Sequence, residues 1–373
     1  MKEIKKIIGI YQSLDLNKTK AALATVVRAE GSSYRRTGAR MLVLDDGIWS
    51  GGISGGCLEG DALKRARLAI AHGASSIVTY DTTEDDKHQI GVGLGCQGVI
   101  EVLFTPLTKH DVNNPVEILE QCMLENRQTH VLLSIIKTDQ TSYQPLLGKM
   151  IRYRDVNDVS FLHDLRLIEA LSEKVNEQIA KGKSAPHSFD LPDHTFIEIF
   201  IELLHPEIHV VMMGHQYDIL PLTGLLKELG WKSTVVANPY KVLPTIYKLA
   251  DAVESPENFG NIIIDHHTAI LLMSHDLKTD KYNLPKVMNT QATFIGLLGP
   301  RKRADRIIHE LQNEGIQFSE ADSQRIHAPV GLDIGALTPE EIALSIAAEI
   351  RAEFSHRDGK SLKYRLGTIH DRD

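Results

Sequence analysis

Residues 209–238 read HVVMMGHQYDILPLTGLLKELGWKSTVVAN, and this stretch decides the fold of the second half of the chain. His209–Gly214 is a short apolar run ending in glycine. Ile219–Leu229 carries helical periodicity and Gly230 stops it. Lys232–Asn238 is a second apolar run. Strand, helix, strand, with the strands apolar throughout rather than alternating, is the pattern of a parallel sheet buried on both faces. The alternation continues through a helix or turn near 241–249 and strands at 261–265 and in TAILLMSHD, 268–276. It ends with ATFIGLLG, 292–299, running into a charged helix, and a last helix from Pro339 with acidic residues in its first turn. The expectation is a doubly wound, Rossmann-like domain.

Upstream the organisation differs. Ile4, Ile7, Ile8, Tyr11 and Leu14 predict a first helix, and strands are expected at 22–28, 41–44, 76–80, 99–106 and 130–137. Helices are expected from about Gly60 to Ala71, over 115–127 and over 168–179. Residues 181–193, KGKSAPHSFDLPD, have the composition of an exposed linker, and Phe196–Leu204 is a candidate last strand of the first domain. The chain is therefore read as an α/β protein in two parts. A small N-terminal α/β domain with its connecting segment occupies 1–193, and a Rossmann-like parallel-sheet domain occupies 194–373, with the crossing before His209.

Composition narrows the function classes. The 373 residues carry 41 Lys plus Arg against 49 Asp plus Glu, a formal charge of −8, which disfavours a protein that coats nucleic acid. No uninterrupted apolar span approaches the ~20 residues a membrane helix needs. The start, MKEIKKIIGIYQSLDLNK, lacks the apolar core of a signal segment. Three cysteines, at 57, 96 and 122, are too few for a disulfide framework and suit a reducing compartment. The expectation is a soluble cytoplasmic protein with no nucleic-acid or membrane partner.

A dinucleotide fingerprint wants G-x-G-x-x-G at the first strand-to-helix turn, where this chain has Met212, Gly214 and Tyr217. The acidic residue expected after the second strand is replaced by Ala237-Asn238. NAD(P) binding, and with it an NAD(P)-linked oxidoreductase, stays open as the alternative but is disfavoured. The crevice at the carboxyl ends of the strands remains the default site, and His215, Asp265, His266, His267, Ser274, His275 and Asp276 are expected there. These residues are catalytic or metal-binding groups, ligand contacts without chemistry, or polar strand ends making cap and turn hydrogen bonds. Arg301, Lys302 and Arg303 begin a helix, where basic charge opposes the helix dipole unless an anion is bound.

The first domain has two glycine-rich loops, each with one cysteine. GGISGGCLEGD, 51–61, contains Gly55, Gly56 and Cys57, and GVGLGCQG, 91–98, contains Gly95 and Cys96. Amides exposed by glycines at a helix start can cradle an oxyanion and lower a thiol pKa. The other reading is tight turns around a small buried side chain. A third segment adds Ser32, Ser33, Arg35, Arg36 and Arg40, hydroxyls and guanidiniums suited to a phosphate and a polar heterocycle. No Ser-His-Asp or CxxC signature is present.

Taken together, ATVVRAEGSSYRRTGARMLV, GGISGGCLEGD, GLGCQG, SHDLKTD, FIGLLGPRKR and APVGLDIGALTPEEIALSIAAEI resemble the XdhC/CoxI family of accessory proteins for molybdenum hydroxylases. The resemblance spans residue 24 to about 350. It implies a maturation factor rather than a stand-alone enzyme, one that binds molybdenum cofactor transiently, supports its sulfuration and delivers it to xanthine dehydrogenase or a related hydroxylase. A cysteine desulfurase and a second copy of the chain are the other partners it implies. Cys57 falls on the family's GGCLE cysteine and Cys96 on its GLGC cysteine, with Gln97 replacing a glycine. The family's GAGH is Met212-Met213-Gly214-His215 here. The cofactor-facing set expected is Cys57 and Cys96 for sulfur or metal, with Ser32, Ser33, Arg35, Arg36, Arg40, Gly55, Gly56, Gly95, Gly214, His215, His275, Asp276, Arg301 and Arg303 as binding residues.

Overall fold

The structure, a computed structural model, describes residues 1–31, 35–81, 98–192 and 194–366. The chain divides into two compact units, Glu3–Pro206 and Glu207–Tyr364.

The first unit holds two antiparallel sheets. One orders its strands Trp49–Gly51, Arg40–Leu44, Ala21–Gly31, Gly98–Pro106 and Ser76–Asp81. The other orders them Met150–Tyr153, His130–Thr138, Phe196–Leu204 and Ala185–Asp190. Helix Glu59–His72 lays Ala62, Ala66 and Ala69 against Ala22, Ala24, Val26 and Val102 of the first sheet. Helix Leu165–Lys181 lays Leu167, Leu171 and Val175 against Val131, Leu133, Ile199 and Ile201 of the second. The remaining faces of the two sheets meet through Val27, Leu103, Ile136 and Phe200. Central strands are thus covered on both sides, which is why 21–27 is buried without alternation. Arg28 and Lys137 cross this layer to the buried carboxylates of Glu101 and Glu198.

Part of 181–193 is not a linker. Ala185–Asp190 is an edge strand paired with Phe196–Leu204. A single paired edge and mostly half-exposed side chains let it carry Pro186, His187, Ser188 and Asp190, a composition that reads as loop. The crossing to the second unit lies between Pro206 and Glu207.

The second unit is a six-stranded parallel sheet ordered Ala252–Glu254, Lys232–Val236, His209–Met213, Thr268–Leu272, Phe294–Leu297 and Ile326–His327. Numbered within the unit this is 3-2-1-4-5-6, the doubly wound dinucleotide-fold order. Val210, Met212, Val235 and Leu271 face helices Ile219–Leu229 and Pro339–Glu353. Val211, Met213, Ile270 and Leu272 face helices Leu277–Met288 and Arg301–Asn313. The period-2 alternation therefore feeds two apolar layers, as the unbroken apolar strands predict.

The third strand is Ala252–Glu254, not 261–265. Residues 262–265 form no strand, and their half-buried Ile262 and Ile264 pack on the second core layer. As a consequence Asp265, His266 and His267 precede strand Thr268–Leu272 instead of following a strand. The His267 carbonyl accepts from the His209 amide at 2.9 Å, at the amino end of the sheet. Asp265 caps that entry, accepting from the His267 amide at 2.9 Å and the Thr268 hydroxyl at 2.8 Å. These three residues lie at the opposite end of the sheet from the crevice. No helix among the described residues is long and apolar enough to cross a membrane.

Candidate functional site

The loop 51–58 leaves strand Trp49–Gly51 and enters helix Glu59–His72. Gly51 has φ +86°, and a Cβ there would stand 2.3 Å from the Arg40 carbonyl oxygen, so only glycine fits. The Glu59 carboxylate then folds the loop back on itself. It accepts from the amides of Ile53 at 3.2 Å and Ser54 at 2.8 Å, and from the Ser54 hydroxyl. Burial pushes the Glu59 carboxyl up, but the bonds from Ser54 and Ile53 outweigh it and hold its pKa below the usual carboxylate value. Ser54 Oγ in turn accepts from the amides of Cys57 at 3.1 Å and Leu58 at 3.0 Å. The latch leaves Gly55, Gly56 and Cys57 exposed in succession. The Gly55 and Gly56 amides bond to nothing among the described residues. The loop thus offers two free amides beside one solvent-facing thiol.

The other expected residues of this unit fall differently. Arg40 is 1% exposed, and its guanidinium is committed to Glu202 at 2.5 Å and to the Gly38 carbonyl at 2.8 Å. It braces one sheet against the other instead of facing a ligand. Arg35 pairs with Glu3 at 2.5 Å and is half-buried, as is Arg36. Ser32, Ser33, Gly95 and Cys96 lie outside the described residues. Cys122 is buried in helix Pro115–Leu124, and burial pushes its thiol up to about 11.

In the second unit the crevice opens where strand order reverses, between His209–Met213 and Thr268–Leu272. Gly214 sits at the mouth of the first strand. A Cβ there would stand 2.4 Å from the Met273 carbonyl oxygen, so the two loops touch through backbone. Asp218 holds the cap position of helix Ile219–Leu229, yet its side chain caps nothing. It reaches His275 Nε2 instead, at 2.7 Å. Asp276 does cap its own helix, accepting from the Thr279 amide at 2.8 Å; this bond and that of the Thr279 hydroxyl hold its carboxyl below the usual value. Asp280, 2% exposed, accepts from Ser274 Oγ at 2.6 Å and from Arg303. Burial raises the Asp280 pKa against the lowering pull of Ser274 and Arg303.

Arg303 therefore neutralises a buried carboxylate of the neighbouring helix, whereas Arg301 is exposed. Asp280 thus accounts for one of the three basic residues at this helix start. His215 is half-exposed beside Gly214. Gly214, His215, His275 and Asp276 lie on adjacent strand-end loops, and Arg303 reaches Asp280 from the first turn of its own helix. Asn238 Oδ1 accepts from the Tyr240 amide at 3.0 Å and closes a turn where a ribose-binding acid would stand in a dinucleotide site. Sequence reasoning missed Asp218, Asp280, Glu59 and Glu202. Asp280 was visible as the second acid of SHDLKTD, four residues after the cap, but Asp218 and Glu202 carry no local signal. Among the described residues, no three His, Cys, Asp or Glu side chains are grouped to hold a metal ion.

Comparison with known proteins covers both units. Residues 16–81 match the family model described as the XdhC and CoxI family, and residues 210–350 match the one described as the XdhC Rossmann domain. The chain is 27% identical over 339 residues to a Bacillus subtilis protein named as a probable xanthine dehydrogenase subunit, covering 90% of this chain and 93% of that one. It is 23% identical over 341 residues to the molybdenum cofactor insertion chaperone PaoD of Escherichia coli, covering 91% and 86%. A crystal structure named as a xanthine dehydrogenase of Bacillus halodurans superposes with a TM-score of 0.71, at 23% identity, over 97% of this chain and 98% of that one. At that identity the superposition shows a shared fold.

Proposed function

The chain belongs to the XdhC/CoxI family, and from that premise we propose that it is an accessory protein that handles molybdenum cofactor as cargo for a xanthine dehydrogenase or related molybdenum hydroxylase. The observation that carries the reading is the loop in which Ser54 and Glu59 hold Gly55, Gly56 and Cys57 outward. Two free amides suit an anionic group of the cargo, and a thiolate is the soft ligand that molybdenum or an incoming sulfur favours. In this reading Cys57 and Cys96 are the working thiols and Gly55, Gly56 and Gly95 their amide cradle. Arg35, Arg36, Ser32 and Ser33 serve the cargo's phosphate. Arg40 supports the loop from beneath, since the Gly52 amide donates to its carbonyl at 2.9 Å.

The crevice of the second unit is assigned as a separate site for a heterocyclic ligand, with Gly214, His215, His275, Asp276, Arg301 and Arg303 around it. Sulfuration with a cysteine desulfurase, a homodimeric state and a cytoplasmic location complete the proposal. The test is cofactor retention by Cys57→Ser and Cys96→Ser, each purified from a cofactor-producing host, with molybdenum and pterin analysis. Reduced retention and reduced activation of the client hydroxylase are expected. Wild-type retention and activation in both variants would sink the assignment of the thiols.

One observation favours a second reading. The 3-2-1-4-5-6 strand order is that of NAD(P)-linked oxidoreductases. Against it stand the missing glycines and the committed Asn238. Calorimetric titration with oxidised and reduced NAD and NADP decides; saturable micromolar binding would revive the oxidoreductase.

A further inference from the structure

Asp218 and His275 form a contact that helix capping does not require. Asp218 stands at the cap position, where a carboxylate ordinarily accepts from its own helix amides, yet it makes no such bond. It binds His275 across the crevice at 2.7 Å, and its other oxygen is buried with no partner. A carboxylate can only accept, so His275 Nε2 must be the donor. In the neutral imidazole that fixes the tautomer and leaves Nδ1 as an acceptor. Nδ1 has no partner among the described residues, and the His275 side chain is 51% exposed at the crevice mouth. The other charged groups around it are Asp276, Lys278 and Asp280 on its own loop and helix, and Arg303 on the next helix.

We propose that His275 Nδ1 is the hydrogen-bond acceptor by which the crevice recognises a ring N–H, amino or hydroxyl group of a heterocyclic ligand, and that Asp218 is its positioning residue. For the ligand's identity this rests on the molybdopterin-handling reading. Arginines and free amides elsewhere in the protein answer to anions. An oriented imidazole acceptor answers to the donor edge of a heterocycle, so it would select a pterin over an inorganic phosphate.

The two ring nitrogens can be separated by substitution. Asn at 275 keeps an acceptor near the Nδ1 position and loses the reach to Asp218. Gln keeps a donor near the Nε2 position and leaves Nδ1 empty. The experiment measures, on the full chain at neutral pH, the affinity for molybdopterin released anaerobically from a purified molybdoenzyme. Both 275 variants are expected to bind more weakly than wild type, with Gln weaker than Asn by ~3–10-fold, the worth of one hydrogen bond. Asp218→Asn is expected to weaken binding without abolishing it, since it loosens the orientation of the ring and leaves the acceptor in place. Melting temperatures of the free variants separate a loss of folding from a loss of recognition. A purely structural tie predicts the reverse order, Gln better than Asn, and that result would overturn the proposal. Absence of binding by wild type overturns the cofactor reading itself, and this inference with it.

Discussion

Arg40 and Glu202 are 162 positions apart and meet at 2.5 Å as a buried ion pair between the two sheets of the first unit. The pair explains why an arginine that reads as an anion ligand is instead fully covered. It also sets the cost of separating the partners. Glu202→Gln leaves a guanidinium buried without its counter-charge and is expected to cost ~3–5 kcal/mol. Arg40→Met combined with Glu202→Leu should recover most of that loss. Urea unfolding of the single and double variants checks both.

Glycine substitutions should separate by geometry. Gly51→Ala and Gly214→Ala place a Cβ 2.3 and 2.4 Å from a backbone carbonyl oxygen and should each destabilise by more than ~2 kcal/mol. Gly56→Ala meets no atom within 4 Å but keeps φ at +109°, so a smaller loss of ~1–2 kcal/mol is expected. Gly60 sits in the first turn of its helix in open space, and Gly60→Ala should stabilise by ~0.5–1 kcal/mol. Thermal midpoints of the four variants give the order.

Thiol labelling should distinguish the two described cysteines. Cys57 is exposed, whereas Cys122 is buried with its thiol pushed up to about 11. Under native conditions at neutral pH, iodoacetamide should modify the Cys57 peptide and spare the Cys122 peptide until denaturant is added. Peptide mass spectrometry reads the result. Equal modification of both in the folded protein contradicts the burial of helix Pro115–Leu124.

Glu59 and Asp280 should pull the pH–stability curve in opposite directions. The Glu59 pKa is lowered on folding, so its contribution is present above the unfolded pKa and fades as pH falls through the folded one. The Asp280 pKa is raised, so its contribution is fullest below the unfolded pKa and is lost as pH rises through the folded one. Glu59→Gln should therefore flatten the acid-side loss of stability, and Asp280→Asn should steepen it. Denaturant unfolding at a series of pH values between 3 and 7 shows the sign of each change.

Much of the architecture was legible because it is written in local patterns. The apolar runs at 209–213, 232–236 and 268–272 are buried on both faces, and the helices between them carry helical periodicity. Reading 261–265 as a strand failed because Ile262 and Ile264 are half-buried in a loop, while the true third strand, Ala252–Glu254, is three residues long and carries no apolar run. That one displacement moved Asp265, His266 and His267 to the wrong end of the sheet. Ala185–Asp190 was hidden because an edge strand tolerates the polar residues and proline of a linker.

For the sites, the sequence by itself determined the chemistry on offer: a cysteine among glycines before a helix, and His275 and Asp276 after an apolar strand. Those features depend on neighbours within a few residues, which local spacing records. Tertiary structure decided which groups remain free to use that chemistry. Glu202 withdraws Arg40, Asp280 withdraws much of Arg303, and Asp218 fixes which nitrogen of His275 can accept. The physical reason is that a charge is consumed by whichever opposite charge packs against it. For Arg40 and His275 that partner comes from 162 and 57 positions away, so only the folded arrangement of sheets and strand-end loops could name it.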